Sequence, residues 1–102
     1  MTIDISSIKG FEWNEGNIDK SYKKHGIHFK EAEEAFFNEP VIVDDDKKHS
    51  KKEQRYHALG RTDNGRLLFI SFTARKNKIR VISARKQSKK ERKEYEKKQQ
   101  KT

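Results

Sequence analysis

The sequence predicts an α+β fold, a small antiparallel β-sheet flanked by two N-terminal helices and a C-terminal helix, and three observations predict it. Residues 55–85 form three strand-like runs separated by Asp63-Asn64-Gly65 and by Lys76-Asn77, both hairpin turns by composition. Phe29, Ala32 and Phe36 recur at i, i+3 and i+7 ahead of Asn38-Glu39-Pro40, which marks an amphipathic helix and its end. Ser88-Lys89-Lys90-Glu91 has the form of a capping box that opens a last helix.

Taken in chain order, the stretch from Asn14 to Lys24 suits a short helix, with Asn14 as its cap and His25-Gly26 as its stop. The Phe29 helix follows at once. Val41-Ile42-Val43 then reads as a strand that enters the acidic turn Asp44-Asp45-Asp46 and a polar loop from Lys47 to Lys52. The three main strands are predicted at Arg55–Arg61, Arg66–Arg75 and Lys78–Arg85. A two-residue turn at Lys76-Asn77 puts Leu68, Ile70, Phe72, Ala74, Ile79 and Val81 on one face, toward the helices. The opposite face then carries Ser71, Thr73, Arg75 and Arg80, with Phe69 and Ile82 between them.

Two registers compete for the first hairpin. A three-residue loop Asp63-Asn64-Gly65 places Arg55, His57 and Arg61 on the cationic face, and a two-residue Asn64-Gly65 loop places them on the other. Burial favours the first, since two arginines and a histidine against the apolar face would each need a partner. The last helix is almost entirely polar, with charge pairs such as Lys90 with Glu94 and Glu94 with Lys98. Tyr95 is its only aromatic residue, so the helix either docks by one ring or stays exposed until a partner arrives. We read residues 1–97 as a single domain and residues 98–102 as a disordered basic tail.

Composition narrows the function classes. A chain of 102 residues has room for one small core and excludes barrels and dinucleotide folds. No run nears the ~18 apolar residues of a membrane span, and Met1-Thr-Ile-Asp-Ile lacks the order of a secretion signal, so a soluble, cytoplasmic protein is expected. The absence of cysteine removes disulfides, cysteine nucleophiles and thiolate zinc sites. Charge is unevenly distributed: residues 1–46 hold 5 Lys against 11 acids, a net of −6. Residues 47–102 hold 20 Lys plus Arg against 5 acids, a net of +15, and contain all seven arginines. A basic segment serves either solubility or phosphate binding; arginines at strand spacing favour nucleic acid.

Few enzyme signatures are present. Gly60 and Gly65 have the spacing of a phosphate loop, but Arg66-Leu67 follows where Lys and Ser or Thr are required. His25 and His28 lack a third ligand, and of the three adjacent aspartates only Asp44 and Asp46 share a side, so no metal is expected. What remains is the cationic sheet face. RNA cleavage by attack of the 2′-hydroxyl on the adjacent phosphate needs no cofactor, only proton transfer and cations at the phosphorus. Arg55, Arg75, Arg80 and Arg85 supply the charge. His57, Tyr95 or a lysine would move the proton; His57 titrates nearest neutrality, and it is equally well read as a hydrogen-bonded strand histidine. Trp13 could stack on a base, or anchor the first strand to the helices, and we favour the anchor.

The blocks Phe11-Glu12-Trp13, Lys24-His25-Gly26-Ile27, Glu53-x-Arg55, Ala58-Leu59-Gly60, Gly65-Arg66-x-Leu68, Thr73-x-Arg75, Arg80-x-Ile82-Ser83-Ala84-Arg85 and Glu91-x-x-x-Tyr95 stand in an order and spacing that resembles the BrnT family. These are ribonuclease toxins of type II toxin–antitoxin pairs. The resemblance implies a RelE-like fold, RNA cleavage that inhibits translation, and neutralisation by a BrnA-like antitoxin in a heterotetramer that binds operator DNA. It matches Arg55, Arg75, Arg80 and Arg85, the cations that the strand register selects, and adds Glu53 and Tyr95; the four arginines and Tyr95 are the catalytic candidates, and Trp13, Lys24, His57 and Thr73 the RNA-binding ones. The family pattern is variable at His57, which ranks that residue below the arginines. It usually has Asp, Lys, Asn and Ser where this chain has Asn14, Asn17, Ser21 and His28. The competing expectation is a non-catalytic basic module that binds nucleic acid or a protein partner.

Overall fold

The computed structural model describes residues 7–49 and 51–100; the opening Met1-Thr-Ile-Asp-Ile and the last two residues of the expected tail lie outside the described residues. The elements run β1 (Gly10–Phe11), α1 (Lys20–His25), α2 (Phe29–Phe37), β2 (Ile42–Asp45), β3 (Arg55–Arg61), β4 (Leu67–Arg75), β5 (Lys78–Lys86) and α3 (Lys89–Gln100). A short 3₁₀ turn at Lys47–His49 follows β2.

The strands form one sheet in the order β1-β5-β4-β3-β2. It is mixed, which corrects the purely antiparallel expectation: β1 runs parallel to β5, with Gly10 opposite Lys78 and Phe11 opposite Ile79. A strand of two residues has no alternation to read. Its direction follows because the chain crosses over through the helices before β5 is laid beside it.

The first helix is shorter than expected. The Asn14 side chain accepts from the amides of Gly16 and Asn17, at 2.9 and 3.1 Å, and so closes a local turn. Such side-chain bonds compete with helical ones. The helix therefore begins only at Lys20, and it stops at Gly26 in the left-handed region as the sequence predicts. In α2 the Glu31 carboxylate accepts from the His28 amide at 3.1 Å, which closes the first turn.

The three-residue loop is the one that forms. Arg55 pairs with Thr73, His57 with Ser71, Leu59 with Phe69 and Arg61 with Leu67. The Thr62 amide donates to the Arg66 carbonyl at 2.9 Å, and Gly65 takes φ 84°, the conformation that closes such a loop. At the second turn Lys76 and Asn77 both have positive φ, 51° and 66°, and Arg75 pairs with Lys78.

A bulge then interrupts β5. Phe72 pairs with Val81 but Ser71 pairs with Ser83, so Ile82 is the extra residue. Strict alternation would turn Arg85 toward the core with Ile79 and Val81. The bulge instead turns Ala84 inward and places Arg85 opposite Phe69 on the outer face. Beyond β1, the exposed edge of β5 is satisfied by side chains. Asn17 donates to the Val81 carbonyl at 3.1 Å, and the Ser21 hydroxyl accepts from the Ala84 amide at 2.8 Å.

The main core lies between the inner face and α2. Ile27, Ala32, Ala35 and Phe36 pack with Ala58, Ile70, Phe72, Ile79, Val81 and Ala84. The Phe36 ring meets Phe72 edge-on at 5.0 Å. Helix α3 adds a second, smaller contact. Its capping box forms as predicted, with Ser88 amide to Glu91 at 2.8 Å and Glu91 amide to the Ser88 hydroxyl at 3.2 Å. Tyr95 is 0% exposed, so the helix docks by its one ring. Helix α3 continues to Gln100, past the expected end of structure at residue 97. No helix of the described residues is long and apolar enough to cross a membrane.

Gly60 sets how closely α2 approaches β3. A Cβ at this position would run into the Ala35 backbone carbonyl oxygen, which has no rotamer to escape by. Gly60→Ala is expected to cost about 1–3 kcal/mol of unfolding free energy through this overlap, read as a lower urea midpoint at unchanged m-value.

Candidate functional site

Strand register arranges the outer face as rows of side chains. Arg55, Thr73 and Arg80 form one row, His57, Ser71 and Ser83 the next, and Leu59, Phe69 and Arg85 a third. Successive rows on one face lie about 6.6 Å apart, two residues of rise. Cations thus stand on both sides of a polar middle row.

Arg55, Arg75 and Arg80 line a cleft of ≈ 330 Å³ together with Thr73, Lys20, Glu53, Gly16 and Asn17. The chain segment between β1 and α1 supplies the last two, and its short Asn14 turn is what brings Lys20 to the sheet. Arg75 is partly held: its Nε and a terminal nitrogen donate to the same Glu53 oxygen at 3.1 and 2.7 Å. Arg80 makes no ion pair among the described residues and is half-buried at the cleft wall. Thr73 is buried, and its hydroxyl donates to the Gln54 carbonyl at 2.8 Å, which ties the loop carrying Glu53 to the sheet.

Arg85 lies beyond the cleft. Its guanidinium sits 4.0 Å from the centre of the Phe69 ring and forms a fork with both oxygens of Glu91, at 2.9 and 3.0 Å. Burial pushes the Glu91 carboxyl up, but the Arg85 guanidinium and the Ser88 donors outweigh it and hold the group below the ordinary range.

The middle row has its own carboxylate. Asp46 is 5% exposed and accepts from His57 Nε2 at 2.9 Å and from His49 Nδ1 at 3.0 Å, while its amide donates to the Arg55 carbonyl at 2.8 Å. Burial raises the Asp46 carboxyl, yet the His49 hydrogen bond and the attraction of His57 prevail and lower it. The His57 ring lies against Phe69, centroids 4.7 Å apart. The aspartate that the sequence offers as a possible metal ligand is thus a partner to two histidines. Among the described residues no group of three or more His, Asp or Glu is placed to hold a metal ion.

Besides Arg85, four expected residues do not line the cleft: His57, in the neighbouring row, and Tyr95, Trp13 and Lys24. Tyr95 is buried and donates its hydroxyl to the Pro40 carbonyl at 2.7 Å; burial pushes its phenol up, against a smaller lowering by Arg61. Trp13 Nε1 donates to Glu33 of α2 at 2.8 Å, and its ring meets Phe29 edge-on at 5.5 Å, the anchoring role. Lys24 is exposed on α1, while Lys20, four residues earlier, reaches the cleft. Helical spacing puts the two lysines on one face, a signal the sequence carried but did not rank. A larger groove of ≈ 800 Å³ between β1 and the end of α2, lined by Ile8, Phe11, Phe37 and Val41, is apolar and lies away from the cationic face.

The fold is that of a small α+β protein in which guanidinium groups converge on one cleft of the sheet, a surface suited in charge and geometry to an anionic ligand. Residues 13–91 match the family described as Ribonuclease toxin, BrnT, of type II toxin-antitoxin system, and the chain belongs to that family. It is therefore a ribonuclease toxin, with an RNA target and an antitoxin as the partners that membership implies. Comparison with curated proteins gives no match.

The lowered Asp46 carboxyl contributes stability above its ordinary value of 3.8, and that contribution is lost as pH falls through the lower folded value. The acid limb of unfolding free energy against pH, below about pH 5, should accordingly be shallower in Asp46→Asn than in the natural chain, as measured by denaturant titration at each pH.

Proposed function

We propose that the protein is an endoribonuclease whose arginine cleft holds RNA and stabilises the charge that develops as the 2′-oxygen attacks phosphorus. The observation that carries this reading is the convergence of Arg55, Arg75 and Arg80 with Lys20 on a single cleft. Fixed guanidinium groups in a partly buried site favour a dianionic phosphorane over the monoanionic phosphodiester, which is the differential binding that accelerates a reaction. The charge is supplied by side chains, so we read the reaction as metal-independent. A phosphate entering the cleft competes with Glu53 for Arg75, and displacement frees that carboxylate beside the reacting groups.

Arg85 and Tyr95 take supporting roles in this reading. Arg85 joins the sheet to α3 through Glu91, and Tyr95 spends its hydroxyl on Pro40. Inhibition of translation, a RelE-like fold and a BrnA-like antitoxin assembled as a heterotetramer that binds operator DNA are further parts of the proposal, supported by the resemblance in sequence. The lysines of the 47–52 loop and of α3 steer RNA toward the face, an effect that fades with salt. The Arg75–Glu53 and Arg85–Glu91 pairs favour a second reading, a catalytically silent homologue that binds without cutting.

RNA incubated with the protein in EDTA separates the two: cleavage supports the enzyme, and binding without cleavage supports the silent module. In the enzyme, Arg80→Ala should slow cleavage by roughly 10²–10³-fold, the loss typical of one donor to a developing oxyanion, and should relieve growth arrest in bacteria. Its melting temperature should be unchanged, because Arg80 has no ion pair among the described residues to lose.

A further inference from the structure

We propose that His57 and Asp46 are the proton-transfer dyad of the cleavage reaction, His57 accepting the 2′-hydroxyl proton and Asp46 acting as the positioning residue. The inference rests on the ribonuclease reading above and names the group that reading leaves open. Three features of the geometry carry it.

The first is orientation. Asp46 is buried and ionised, so it only accepts, and the 2.9 Å contact therefore requires that His57 Nε2 carry a hydrogen. The neutral ring is then held as the Nε2–H tautomer, and Nδ1 is left as its lone-pair acceptor. Phe69 against one side of the ring, at 4.7 Å, removes most of the remaining rotation. A carboxylate that fixes the tautomer and favours the imidazolium formed during reaction is the arrangement by which histidine serves as a base.

The second is access. The His57 side chain is 34% exposed, whereas that of Asp46 is 5% exposed, so the ring reaches solvent and its partner does not. Tyr95, the other neutral candidate, is fully buried with its hydroxyl engaged.

The third is placement. His57 shares its row with Ser71 and Ser83, between the Arg55–Thr73–Arg80 row and the row that ends in Arg85. A phosphate gripped by Arg55 and Arg80 brings its neighbouring ribose across this middle row. The balanced step is short. His57 Nδ1 takes the proton from O2′ as O2′ bonds to phosphorus; the bond from phosphorus to the 5′-oxygen breaks, and that oxygen takes a proton from water. The products are a 2′,3′-cyclic phosphate and a 5′-hydroxyl end. The charged and titratable groups around His57 are Asp46 and, through it, His49; Asp44 opposite on β2; Arg55 one row away; and Arg85 across the Phe69 ring.

The test is single-turnover cleavage of an RNA oligonucleotide by saturating full-length protein across pH 5 to 9, with oligonucleotide affinity and melting temperature measured in parallel. His57→Ala should lose roughly 10²–10⁴ in rate with binding nearly unchanged and the protein still folded, and free imidazole should restore part of its activity but none of that lost in Arg80→Ala. His57→Gln keeps a polar side chain of similar size and should show the same loss, which covers the case of an unfolded alanine variant. Asp46→Asn should lose less, and should lose it in the rate at saturating protein rather than in oligonucleotide affinity, because the amide oxygen can still accept from Nε2 but no longer offers a charge to the imidazolium formed during reaction. Cleavage at the natural rate by both His57 variants would overturn the dyad while leaving the arginine cleft standing. A loss in them matched by lost binding, or without imidazole rescue, would also overturn it, and an unchanged saturating rate in Asp46→Asn, or a loss that lies in its affinity alone, would remove Asp46 from it. If the natural protein binds the oligonucleotide and does not cut it, the ribonuclease reading fails and the dyad fails with it.

Discussion

Strand register is the constraint on which the rest of this molecule depends. Because neighbouring residues of a strand point to opposite faces, a slip of one residue in β3 or β5 would bury Arg55, His57 or Arg85 and expose the apolar residues beside them. Two backbone devices prevent it. Gly65, at φ 84°, closes a three-residue loop that aligns Arg55 with Thr73, and the bulge at Ile82 resets β5 so that Ala84 packs inward and Arg85 outward. The second device resolves a conflict in the sequence, since Val81 and Arg85 have the same parity but opposite solubility. Without the extra residue, one of them would be on the wrong side.

A face so rich in guanidinium groups needs internal counter-charges while no RNA is present. Glu53, Glu91 and, on the far side of the first hairpin, Glu31 each pair with an arginine, at 2.7, 2.9 and 2.7 Å. All three pairs are partly exposed, and pairs of that kind contribute on the order of 1 kcal/mol or less. They are strong enough to hold side-chain geometry and weak enough for a phosphate to displace. Asp46 differs because it is buried and bound to histidines, so its contacts are not readily exchanged for those of a substrate. The distinction separates the part of the face that grips from the part that is held in one orientation.

The segment between β1 and α1 links the strand edge to the site. Its Asn17 and Ser21 side chains satisfy the open edge of β5. Asn17 lines the cleft, and Lys20 brings a cation to the same place. The segment therefore lines the site, held there by hydrogen bonds to the strand edge.

Much of the fold was legible in the sequence because its signals are local. A turn that needs positive φ, a capping box, an i, i+3, i+7 stripe and the alternation of β4 each act within a few residues, so Asp63-Asn64-Gly65, Ser88 to Glu91 and Phe29 to Phe36 can be read without their neighbours. The cationic face was legible for the same reason, as alternation alone sets Thr73, Arg75 and Arg80 apart from Phe72 and Ala74. What only the tertiary structure decided depends on residues distant in the chain. The parallel pairing of two-residue β1, the bulge that turns Arg85 outward, the burial of Tyr95 under Pro40, the approach of Lys20 to the sheet and the Asp46–His57 contact all require elements to be packed before they exist. Sequence alone determined which side chains could be cations on a sheet; packing decided which of them share a cleft and which histidines are given a buried carboxylate.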